Sequence, residues 1–126
     1  MNWDGYIALA DNLAKRGSEV MDRTAVSRAY YGAFNLSRRW LEANGTRIDH
    51  HRAHRQVWDT FRVADRASAP TRDDWILVGN LGNSLRGFRN EVDYADLVLE
   101  LDGRVIDAVE DARRILALLS QLDVAD

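Results

Sequence analysis

A single proline, Pro70, interrupts a chain of 126 residues whose apolar side chains recur at the spacings of an α-helix. Proline ends helices and is excluded from central strands, so its rarity leaves long segments free to stay regular. Runs of β-branched residues with period two, the mark of half-buried strands, are missing. Together these features predict an all-α fold.

Five segments carry the pattern. The first, about Trp3 to Arg16, repeats Trp3, Tyr6, Ile7, Ala10 and Leu13 and stops near Gly17. The second, about Arg23 to Ala43, repeats Val26, Ala29, Tyr30, Ala33, Trp40 and Leu41, with Asn44-Gly45 as a left-handed stop. The third runs from about His50 to Asp65 with Ala53, Val57, Phe61 and Ala64 on one face. Ala67-Ser68-Ala69-Pro70 then breaks the chain, and Thr71 followed by Asp74 resembles a capping box that opens the fourth. The fifth, about Leu99 to Leu122, carries a nearly heptad stripe from Leu101 to Leu119, read as one wall of a core. Short connections between long helices favour antiparallel neighbours, so the expectation is an up-and-down bundle of four to five helices forming one domain over residues 1–126.

Charge narrows the partners. The net charge of -3 divides unevenly: residues 1–95 hold fourteen Arg/Lys against twelve Asp/Glu, and residues 96–126 hold three against eight. A balance so near neutral means that any nucleic-acid site is a local patch. The chain has no cysteine, which excludes a disulfide framework and suits a reducing cytosol. The start lacks the apolar run of a signal peptide, and Ile115–Leu119 is too short to span a bilayer. A soluble, cytoplasmic protein without membrane contact is expected.

The segment Leu85-Arg86-Gly87-Phe88-Arg89-Asn90-Glu91-Val92-Asp93-Tyr94 is the richest in chemistry. At about 100° per residue, Arg86, Arg89, Asn90 and Asp93 share one arc while Leu85, Phe88 and Val92 gather on another. Gly79 and Gly82 extend the polar stripe, although each glycine costs a helix about 1 kcal/mol relative to alanine. With Gly87 beside them, they suggest close approach by a second helix, a second subunit or a nucleic-acid backbone. Arg86 and Arg89 suit phosphate, and Asp93 and Tyr94 are the nearby groups able to move a proton. An ordinary Arg89–Asp93 ion pair is the competing reading.

Two other constellations stand out. In Ser27-Arg28-Ala29-Tyr30-Tyr31-Gly32-Ala33-Phe34, Tyr30 follows the apolar stripe and is expected in the core with its hydroxyl bonded, while Arg28 and Tyr31 are candidates for a ligand groove. His50, His51 and His54 lack the partners of a convincing metal set, and no cofactor is called for. His54 shares a face with Val57 and Phe61 and is expected half-buried and hydrogen-bonded. His50 and His51, with Arg47, Arg52 and Arg55, form a basic strip interleaved with Trp58 that could meet phosphate, diluted by Asp49 and Asp59.

The Ser27–Phe34 string, His54 with Val57 and Phe61, and Arg89-Asn90-Glu91-Val92-Asp93-Tyr94-Ala95-Asp96 resemble, in order and approximate spacing, the HEPN domains of small prokaryotic proteins. The resemblance covers about residues 5–120. It implies an all-α bundle that commonly dimerises around the arginine-bearing helix. It further implies a toxin-type ribonuclease acting without metal in toxin–antitoxin or other defence systems, often beside a minimal nucleotidyltransferase. Active members carry arginine, a polar residue and then a histidine. Here Arg89 and Asn90 match, but Tyr94 stands where the histidine falls. By this resemblance Arg89, Asn90, Asp93 and Tyr94 form the catalytic set, and Arg86, Arg28, Tyr31 and His54 contact RNA or another ligand. Tyr94 is also where such a nucleotidyltransferase would modify the chain. Three readings stay open: Tyr94 or Asp93 substitutes for the imidazole, His54 arrives from elsewhere, or the chain binds a nucleotide, RNA or a partner without cutting.

Overall fold

The computed structural model describes residues Asn2 to Asp126. Five helices form: α1 (Trp3–Ala14), α2 (Glu19–Ala43), α3 (Ala53–Val63), α4 (Arg72–Tyr94) and α5 (Leu101–Leu119). No strand forms among the described residues, and one isolated antiparallel bridge joins Ala67 to Val124. The fold is an all-α bundle in which α2 packs against each of the other four helices. Its interior is sealed by Trp58, Trp75, Tyr30, Phe61, Leu41 and Ile115, apolar positions supplied by four of the five helices.

The helix ends explain where the chain departs from its pattern. Asn2 caps α1 by accepting from the Gly5 N–H at 3.0 Å. Ser18 caps α2 through the Met21 N–H at 3.1 Å, so that helix starts a full turn before the Arg23 expected from its apolar stripe. The expected capping box at Thr71 does not form. The Thr71 hydroxyl turns to the Asp123 carbonyl and to Ser68, and the helix end is left without a side-chain cap. The tail is the cause: Asp123 competes successfully for that hydroxyl.

Two arginines close helix C-termini, where carbonyls lack intrahelical donors. Arg72 donates to the Ala64 carbonyl at 2.9 Å, where α3 stops on a left-handed residue. Arg23 reaches from α2 to the Val92 and Ala95 carbonyls at 2.6 and 2.7 Å and to Asp96 at 3.1 Å. It fixes the end of α4, hence the height of the arginine motif against α2.

The close approach suggested by the glycines occurs within the chain. A Cβ at Gly82 would overlap the Trp58 ring, and one at Gly79 would stand 2.7 Å from the Trp58 carbonyl oxygen. Both therefore serve the α3–α4 contact. Gly87, grouped with them on the sequence, has nothing within 4 Å and takes no part.

Candidate functional site

The polar face of α4 meets aromatic side chains of α2 and the inner face of α3. Arg89 sits over two rings, its guanidinium carbon 5.1 Å from the Tyr30 centroid and 5.3 Å from that of Tyr31. Asp93 touches it from below at 3.4 Å, and the Arg89 side chain keeps only 12% of its exposure. The Nε atoms of Arg86 and Arg89 are buried and have no acceptor. Two guanidinium groups thus sit at one place with donors to spare, beside a single carboxylate.

His54 is brought here by α3. Its ring stacks on Phe34 with centroids 3.9 Å apart, and Tyr30 covers it at 5.6 Å. The Tyr30 hydroxyl lies 2.7 Å from His54 Nδ1 and accepts from Trp58 Nε1 at 3.2 Å. Burial pushes the imidazole down to about 4, reinforced by the positive charges of Arg86, Arg89 and Arg38. Burial pushes the Tyr30 phenol up to about 12, against the pull of its bond from Trp58 and of the two arginines. At neutral pH both rings are uncharged, so the positive field comes from the guanidinium groups alone. Such a set suits an oxyanion.

The residues singled out on the sequence divide sharply. Arg86, Arg89, Tyr31 and His54 come together, and Asp93 tethers Arg89. Asn90 is exposed on α4. Tyr94 is 79% exposed and, five positions after Arg89, points about 140° away around the helix. Arg28 lies over the Tyr6 ring at 5.3 Å, on the α1 side of α2, and does not join the cluster. His50 and His51 are exposed while His54 turns inward, and among the described residues no three His, Cys, Asp or Glu side chains gather as a metal set.

Three members are not placed in this cluster by the sequence: Phe34 and Trp58, which it sets elsewhere, and Arg38, which it leaves unremarked. Phe34 stands one helical turn after Tyr30, and Trp58 one turn after His54, a pairing that could have been read as one shared aromatic face. Trp58, expected to interleave the basic strip, is fully buried and cannot stack on a base. The strip itself borders an open groove of about 1060 Å³ holding Arg52, Arg55 and Arg66 but also Asp49, Asp59 and Asp65. Three arginines against three aspartates leave the groove's lining without net positive charge, and Arg55 is paired with Asp59.

Comparison of the chain with protein-family models, with curated proteins and with solved structures returned no match. No helix among the described residues is long and apolar enough to cross a membrane.

Proposed function

We propose that the chain is a HEPN-like module that binds RNA by holding a backbone phosphate between Arg86, Arg89 and His54. It would act as the toxin-type member of a toxin–antitoxin or defence pair in the cytoplasm, with a minimal nucleotidyltransferase as its partner. One observation carries the binding reading: two arginines with unpaired buried donors converge with a neutral imidazole, and only Asp93 offsets them. Charge-assisted bonds of this kind contribute about 1.5–3 kcal/mol each. The defence setting and the homodimer rest on the sequence resemblance. The glycines, explained by Trp58, give the dimer no support.

A metal-independent ribonuclease is the second reading, favoured by the arrival of His54 at the arginines in place of the missing motif histidine. It needs an acceptor for the ribose 2′-hydroxyl proton, and Tyr94 lies on the wrong side of α4 to serve. One experiment separates the two. Wild type and Arg89→Ala are incubated with a dye-labelled single-stranded RNA in excess EDTA, and binding by anisotropy and cleavage by gel are read together. Binding without cleavage, weakened at least about 10-fold by Arg89→Ala, is expected. Cleavage by wild type alone would establish the ribonuclease, and RNA affinity indifferent to Arg89→Ala would end both readings.

A further inference from the structure

The two hydrogen bonds at the Tyr30 hydroxyl fix where the protons of Tyr30 and His54 lie. An indole N–H can only donate, so the phenol oxygen accepts from Trp58. Tyr30 is fully buried, and besides Trp58 its hydroxyl has one neighbour among the described residues, His54 Nδ1 at 2.7 Å. The hydroxyl proton must go to that nitrogen, because a buried donor left unpaired costs about 1–3 kcal/mol. A neutral imidazole that accepts at Nδ1 carries its own proton on Nε2. Nε2 makes no bond to the described chain and is not sealed from solvent.

We propose that Tyr30 and Trp58 are positioning residues that lock His54 as the Nε2–H tautomer, so that it serves the cleft as a hydrogen-bond donor to a phosphate oxygen and not as a proton acceptor. The chain of bonds runs one way, from Trp58 to Tyr30 to His54, and ends on the ligand. With Arg86 and Arg89 alongside and Asp93 the one carboxylate beside them, the cleft presents mainly donors, the complement of a fully ionised phosphodiester, which presents acceptors only. The groups facing the ring are Tyr30, Tyr31, Phe34 and Arg38 from α2 and Arg86 and Arg89 from α4, none of them a carboxylate. This donor role deepens the RNA-binding reading and rests on it, whereas the tautomer itself stands on the free protein.

The test begins with long-range proton–nitrogen correlation spectra of histidine-labelled free protein at neutral pH. His54 is expected to show a bare, pyridine-like Nδ1 and a protonated Nε2. In Tyr30→Phe, which keeps the ring and removes the hydroxyl, the two tautomers should mix. A protonated Nδ1 in wild type, or a tautomer unmoved by Tyr30→Phe, overturns the proposal. Binding of a dye-labelled oligouridylate then reads the donor role. His54→Leu should weaken it about 10-fold, the value of one charge-assisted bond, and His54→Gln, whose amide offers a donor near the Nε2 position, should recover most of that loss. Equal losses in both variants would refute the donor role. Should wild type bind no RNA while its spectra show Nε2–H, the RNA-binding reading falls and the tautomer assignment remains.

Discussion

His54 is a base held uncharged by its surroundings, and stability must follow. Its ordinary value of 6.5 falls to about 4 in the folded chain, so the unfolded chain binds the proton first as pH drops. Stability is therefore full above about pH 6.5 and is lost as pH falls toward 4. For a ring this close to solvent the loss is on the order of 1 kcal/mol after screening is allowed for. Carboxylates such as Asp59 and Glu91, lowered by their arginine partners, lose stability in the same acid direction, and buried Asp22, raised by burial, opposes them. Urea midpoints of wild type and His54→Gln at pH 7 and pH 4.5 isolate the histidine: the variant should lose less on acidification. The sequence reading expected both a hydrogen-bonded His54 and a core Tyr30 seeking a partner. It could not join them, because their meeting depends on how α3 lies across α2, which periodicity does not encode.

At the scale of elements, α4 carries glycines of opposite meaning. Gly82→Ala pushes a methyl into the Trp58 ring and should cost about 1–3 kcal/mol, outweighing the roughly 1 kcal/mol that alanine brings to a helix. Gly87→Ala meets open space and should stabilise by about that helix increment. Chemical denaturation of the two variants gives shifts of opposite sign if the assignment is right. Spacing alone showed that Gly79 and Gly82 share a face, and close approach followed from it. Which helix approached was hidden, since a glycine face names no partner, and Gly87 was drawn into the same group by proximity alone. Arg23 was missed for a related reason: a side chain that caps a distant helix leaves no periodic trace.

The whole molecule is closed by its tail. Beyond α5 the chain turns back: Leu122 is buried, the Asp123 carbonyl accepts from Trp75 Nε1 at 3.1 Å, and the Ala125 N–H donates to the Arg66 carbonyl at 2.8 Å. Removing residues 122–126 should destabilise the bundle by about 2–4 kcal/mol through Leu122 and the freed indole donor, with tryptophan emission shifting red as Trp75 meets water. An unchanged melting temperature would show the tail to be ornamental. The five-helix, all-α architecture is legible from apolar periodicity and the lone proline, whereas the docking of the tail is not, because its contacts are all long-range. The clamp on Arg89 carries one more consequence. Two tyrosine rings and Asp93 hold its guanidinium before any ligand arrives, so the loss of rotamer freedom, about 0.5–1.5 kcal/mol for such a side chain on binding, has already occurred during folding.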